Sequence, residues 1–147
     1  MMNISEGKWV FDSNIILYFL DKDSSFHIRA KELFAQILSE KIDPVVAQQN
    51  IVEVGSVLRK AYHWTSPEIK KLLKGIISEF NLQVIYPVQK TYITWLNLIS
   101  DDDFKSFDYF DFFLSATMLD NRINRILTAN IKDFSKIPGI EAVNPFK

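Results

Sequence analysis

The chain of 147 residues has no cysteine. That excludes a disulfide framework, a thiolate zinc site and a cysteine nucleophile, and it fits a reducing compartment, so a cytoplasmic location is expected. No run of about 18 apolar residues occurs, so no transmembrane helix and no membrane partner are expected. The N-terminal apolar stretch is interrupted by Asp12 and lacks a basic flank and a small-residue cleavage site, so it does not read as a signal peptide. Positive charge is not in excess either: the net charge is −1 and the pI about 6.1. The basic field common in nucleic-acid-binding proteins is therefore missing, although a metal site must itself carry negative charge that bound cations later offset. The two histidines, His27 and His63, lie in helical segments without matched partners, and no motif supports either as a general base.

What the chain does have is apolar mass. Apolar residues make up 48% and phenylalanine occurs 12 times, enough for one proper core. No linker, low-complexity stretch or internal repeat divides the chain, so one domain over residues 1–147 is expected.

Hydrophobic periodicity alternates between two periods along the whole length. Lys8–Phe11 reads as a strand that runs into the capping residues Asp12, Ser13 and Asn14 and then a helix. Phe26–Glu40 has helical spacing, Lys41–Ala47 reads as a strand, and Gln49–Tyr62 as a helix. Thr65-Ser66-Pro67-Glu68 opens a helix that runs to about Phe80, with a hydroxyl cap, a proline in the first turn and an acid just inside. Leu82–Tyr86 reads as a strand stopped by Pro87, Val88–Ser100 as a helix broken by Asp101–Asp103, and Phe107–Asn121 as a very apolar helix. Arg125–Thr128 is a strand, Ile131–Gly139 a loop with room for a turn of helix, and Ala142–Asn144 a last short strand. Alternation of this kind predicts an α/β fold, a parallel sheet of four to five strands with helices on both faces. Ligand sites in such folds lie beyond the carboxyl ends of the strands, where strand order switches.

Four places then hold polar residues of interest. Asp12 follows the first strand at a helix N-terminus, with Asn14 two residues on; a simple N-cap is the competing reading. Glu53 lies at the edge of an apolar helical stripe and, taken alone, reads as a solvated face residue. Asp111 is flanked by large apolar groups, and a buried carboxylate needs a cation, a donor network or a metal. Asp108, one turn earlier, is its rival; the small residues Ser115, Ala116 and Thr117 that follow Asp111 favour Asp111, because such a face packs tightly on a sheet. Thr128, Asn130 and Asp133 follow the fourth strand, in what also reads as ordinary turn chemistry. Gathered together, these acids would repel one another without divalent cations, and hard oxygen ligands select Mg²⁺ or Mn²⁺. Paired ions of this kind serve phosphodiester displacement.

The segments VFDSNIILYFL, QQNIVEVGSVL, DFFLSATMLDNRINRILTANIKDF and IPGIEAVNPF, in this order, resemble a PIN domain, and among PIN domains the VapC-type ribonuclease toxins of prokaryotic toxin–antitoxin pairs. The similarity covers nearly the whole chain. It implies a three-layer α/β/α sandwich and a metal-dependent endoribonuclease with RNA as substrate, a small antitoxin protein as partner and a homodimeric state. It also implies that Asp12 and Asp111 are the principal metal ligands, that Glu53 completes the set or acts through water, that Thr128 positions substrate or ligands and that Asn14 supports Asp12. Asn130 stands where many relatives carry a fourth acid, and Asp133 is the nearest carboxylate to replace it. The implied reaction is hydrolytic: water attacks phosphorus in line and the 3′-oxygen leaves, giving a 5′-phosphate.

Two other readings compete. The Asn130 departure and the acidic pI suit a catalytically weak PIN-like module that binds RNA or protein. A haloacid-dehalogenase-type phosphatase also begins with an acid after its first strand, but needs a second acid two residues on, where this chain has Asn14. Lys70, Lys71 and Lys74, with Arg59 and Lys60, form either a solvated face or a track for a phosphate backbone. Phe104, Phe107, Tyr109, Phe110, Phe112 and Phe113 exceed what one helix face can bury, so the surplus suits a dimer or antitoxin surface.

Overall fold

A computed structural model of the protein describes residues 4–39, 42–99 and 108–147. Five strands appear among the described residues: β1 (Gly7–Phe11), β2 (Ile42–Ala47), β3 (Gln83–Ile85), β4 (Arg125–Leu127) and β5 (Glu141–Val143). Between them lie α1 (Ser13–Leu20), α2 (His27–Ser39), α3 (Gln48–Lys60), α4 (Ser66–Glu79), α5 (Thr91–Leu98), α6 (Tyr109–Asp120) and α7 (Ile131–Ser135). All strand pairings are parallel and the order is β3-β2-β1-β4-β5.

Residue alternation along the strands divides the core into two layers. On one face Trp9, Phe11, Ile42, Val46 and Leu127 pack with α1, α2, α3 and α4. On the other Val10, Val45, Ala47 and Ile126 pack with α6 and α7. Both faces of the central strands are thus covered, the condition under which parallel sheets are stable. The phenylalanines account for much of the first layer: Phe34 stacks on Phe19 at 4.2 Å and meets Phe11 and Phe80 edge-on at 5.6 and 4.8 Å.

The expected elements are present, with shifted ends. The helix read from Val88 begins at Thr91, because Val88–Lys90 form a turn in which the Val88 N–H donates to Thr91 Oγ1 at 2.8 Å and the Thr91 N–H to the Val88 carbonyl at 3.0 Å. The region read as a loop after the fourth strand holds α7. Thr65 caps α4 by accepting from the Glu68 N–H, as its sequence signature implies. Of the surplus aromatics, Phe112 belongs to the core, Tyr109 and Phe113 meet Trp95 edge-on, and Phe110 is exposed. Phe104, Phe107 and Asp101–Asp103 lie outside the described residues. Lys70, Lys71, Lys74, Arg59 and Lys60 are all exposed.

Candidate active site

Strand order reverses between β1 and β4, and the first and fourth polar positions fall there side by side. Phe11 is in register with Leu127. The next residue on each strand therefore emerges at the carboxyl edge of the sheet, next to its counterpart. The Asp12 N–H donates to the Leu127 carbonyl and the Thr128 N–H to the Val143 carbonyl, both at 3.0 Å. Thr128 Oγ1 then donates to Asp12 Oδ2 at 2.7 Å. The same hydroxyl accepts from the Asn130 N–H at 3.0 Å, which leaves its own proton for the carboxylate.

Asp12 is also the N-cap of α1, accepting from the Ser13 N–H at 2.8 Å through Oδ1. Capping and site membership are therefore not alternatives here. Asn14 donates to Asp12 Oδ2 at 3.4 Å and accepts from the Ala129 N–H at 3.3 Å, so it ties α1 to the segment after β4. Asp12 is 6% exposed. Burial raises its carboxyl above the ordinary 3.8; the Thr128 and Ser13 hydrogen bonds oppose this, and the charges of Glu53 and Asp108 add to it.

Glu53 comes from the first half of α3, which starts directly after β2. It is half-buried, neither a core residue nor a fully solvated one. Its Oε2 accepts from Ser13 Oγ at 2.8 Å and its Oε1 from Gln49 Nε2 at 3.0 Å. Gln49 Nε2 also donates to the Phe110 carbonyl at 3.0 Å, which links α3 to the start of α6. The buried Oε1 of Gln49 has no partner.

Asp108 caps α6 by accepting from the Phe110 N–H at 2.8 Å, and Asp111 follows in the first turn. Ser115, Ala116 and Thr117 are buried, as tight packing of this helix on the sheet requires. The Asp111 carboxyl is pushed up to about 7, first by burial and then by the charges of Asp108, Asp12, Asp133 and Glu53. Carboxyl groups from four parts of the chain thus come near enough for the charges of Asp108, Asp12, Asp133 and Glu53 to reach Asp111. Asp133, in the first turn of α7, is close enough for its charge to reach Asp111. Asn130 is exposed, and its contribution to the cluster is a backbone N–H rather than a side chain. His27 Nδ1 lies against the Tyr18 carbonyl at 3.0 Å, and neither histidine is among the groups that act on Asp12 or Asp111.

Among the described residues, no three acidic or histidine side chains are already gathered tightly enough to hold an ion. The chemistry of the donor set nevertheless fits one. The charges acting on Asp111 are all carboxylates, and an unpartnered amide oxygen lies in the Gln49 side chain that holds Glu53. An all-oxygen, negatively charged set of this type suits a hard divalent cation.

Sequence reasoning missed three members of this site: Ser13, Gln49 and Asn50. Asn50 is wholly buried, accepts from the Ala47 N–H at 3.2 Å, and donates to Ser13 Oγ at 3.1 Å and Asp12 Oδ1 at 3.4 Å. Its signal was available, since an amide at the third position of an apolar helix is a capping pattern.

The sequence matches the PIN domain over residues 9–140. The chain belongs to the PIN domain family. That membership removes the phosphatase reading. Solved structures of low sequence identity share this fold. The Mycobacterium tuberculosis toxin VapC20, described as cleaving the sarcin-ricin loop, is 17% identical with a TM-score of 0.69, the match covering 95% of this chain and 100% of that one. The structure of VapBC-1 from nontypeable Haemophilus influenzae is 15% identical, with a TM-score of 0.69 and coverage of 96% and 100%. A toxin–antitoxin complex from Klebsiella pneumoniae is 22% identical, with a TM-score of 0.64 and coverage of 95% and 98%. At these identities the likeness is one of fold. No curated protein matches the sequence.

Proposed function

We propose that this PIN domain, comprising residues 1–147, is a VapC-type endoribonuclease that depends on Mg²⁺ or Mn²⁺ and is the toxin of a toxin–antitoxin pair. The observation that carries this reading is the half-buried Asp111, whose carboxyl is raised to about 7 by burial and by the charges of Asp108, Asp12, Asp133 and Glu53. A bound cation would relieve the repulsion among these carboxylates and displace the proton. Asp12 and Asp111 would be the principal ligands, with Glu53 and Asp133 completing the set. The bound cation would neutralise the cluster and the phosphate and lower the pKa of water.

The chain's own residues supply orientation. Thr128 and Asn14 hold Asp12 Oδ2, while Ser13 and Gln49 hold the two oxygens of Glu53. Asn130 fixes the Thr128 hydroxyl through its N–H. A carboxylate of the cluster would accept a proton from the attacking water as the P–O3′ bond breaks, and the departing 3′-oxygen would take a proton from that acid or from solvent, leaving a 3′-hydroxyl and a 5′-phosphate.

A small antitoxin protein and a second copy of the chain are the proposed macromolecular partners. Support comes from the solved toxin–antitoxin complexes of the same fold and from exposed Tyr92, Ile93 and Leu96 on α5 and Tyr109 and Phe110 on α6. No helix among the described residues is long and apolar enough to cross a membrane, and a cytoplasmic location is proposed.

The test is cleavage of an RNA pool with Mg²⁺ or Mn²⁺, followed by mapping of product ends. Fragments with 5′-phosphates that disappear in Asp12→Asn support the reading. Exposed Asn130, in place of an acid, favours one second reading, a module that binds RNA without cutting it. Calorimetry separates the two, because such a module need not bind Mg²⁺.

A further inference from the structure

We propose that Asn50 is a positioning residue of this site, holding Asp12 directly and Glu53 through the Ser13 hydroxyl. Its catalytic meaning rests on the nuclease reading above; the positioning itself does not.

Asn50 is 0% exposed, near the start of α3. A buried amide is costly unless its hydrogen-bonding groups are satisfied, so an apolar side chain would be the cheaper occupant of a purely structural position. The orientation of the amide is fixed by the backbone. Oδ1 accepts from the Ala47 N–H, and a turned amide would place N–H against N–H. Both Nδ2 hydrogens therefore point the other way, one toward Asp12 Oδ1 at 3.4 Å and one to Ser13 Oγ at 3.1 Å.

Ser13 inherits this direction. With a lone pair engaged by Asn50, its hydroxyl proton goes to Glu53 Oε2 at 2.8 Å. Donation thus runs one way, from the buried amide to Ser13 and on to Glu53, with a branch to Asp12. Asp12 and Glu53 repel each other, as the effect of Glu53 on Asp12 shows. Asn50 and Ser13 place donors against both. The device holds two like-charged groups from different helices at a set spacing before any cation arrives, which is preorganisation by outer partners of the ligands.

The test is a double-mutant cycle in the full chain with Asn50→Ala, Ser13→Ala and the double variant. Mg²⁺ affinity is read by calorimetry, and kcat and KM by RNA cleavage. Loss of an outer partner typically weakens metal binding about 10- to 100-fold. Each single variant is expected to show such a loss together with a fall in kcat at little-changed KM, and the double variant to be no worse than the poorer single. A crystal structure of metal-free Asn50→Ala is expected to show Ser13 Oγ and the Glu53 carboxylate in new rotamers. Unchanged Mg²⁺ affinity in Asn50→Ala, losses that multiply in the double variant, or unmoved Ser13 and Glu53 would each overturn the proposal. A role confined to bonding the Ala47 N–H would lower stability and give those same results. If Asn50→Ala does not fold, Asn50→Ser replaces it in the same cycle. Should the wild type neither bind Mg²⁺ nor cut RNA, the nuclease reading fails, and the rotamer comparison alone still decides the positioning.

Discussion

Thr128 Oγ1 donates to Asp12 Oδ2 at 2.7 Å across 116 residues of sequence. The bond follows from sheet register: Phe11 pairs with Leu127, and each is followed by the residue that turns inward at the switch point. It is the shortest of the hydrogen bonds to a carboxylate that is 6% exposed.

Thr128→Val keeps the shape and removes the donor. Leaving a buried acceptor without its partner costs about 1–3 kcal/mol. Urea denaturation of the metal-free variant at pH 7 is expected to show a stability loss of that order, with RNA cleavage reduced as Asp12 loses its fixed orientation.

Stability of the metal-free protein is expected to fall as pH rises. The Asp111 carboxyl sits at about 7 when folded against an ordinary value of 3.8, and Asp12 is displaced in the same direction. The folded state therefore holds more protons than the unfolded state between these two values. Stability from Asp111 is fully present below 3.8 and is lost as pH climbs through about 7. Asp111→Asn removes the penalty. Because the group is only half-buried, the gain is set at about 1 kcal/mol, or roughly 2–4 °C in Tm, at pH 8. At pH 4 the variant and the wild type are expected to differ little by thermal scan.

Cations should reverse that penalty. Mg²⁺ at about 100 times its Kd adds about 2.7 kcal/mol of stability if it binds the folded state alone. The rise in Tm is expected to be larger at pH 8 than at pH 5, because protons compete for the same carboxylates. Addition of EDTA is expected to abolish it.

Away from the site, Phe34 joins three other rings and is fully buried. Phe34→Ala is expected to cost about 3–5 kcal/mol, measured by denaturant unfolding, with no change in metal affinity per folded molecule.

Much of this arrangement was legible in the chain itself, for reasons that differ by residue. The alternation at Trp9, Val10 and Phe11 and the cap at Asp12 are local signals, so β1, α1 and the turn between them could be read directly. Asp111 stood out because a carboxylate among phenylalanines needs a partner. Asp133 was harder to place, since its approach to Asp111 depends on how α7 folds back, a long-range event without a local mark. Asn50 and Ser13 were missed because each passes as an ordinary helix-start residue. Only tertiary packing of α1 against α3 joins those two residues into one network. The start of α5 was misjudged because Val88 is apolar and in phase, while the Thr91 hydroxyl holds it in a turn.

The acidic cluster is proposed to be a cation-dependent nuclease site. The most direct measurement is single-turnover cleavage of an RNA pool by wild type and Asp111→Asn, with Mn²⁺ titrated in the same samples by calorimetry. Cation binding and cleavage are expected in the wild type, and both are expected to be lost in Asp111→Asn while the variant stays folded. Cleavage that survives Asp111→Asn or EDTA, or a wild type that binds no cation and cuts no RNA, would contradict that proposal.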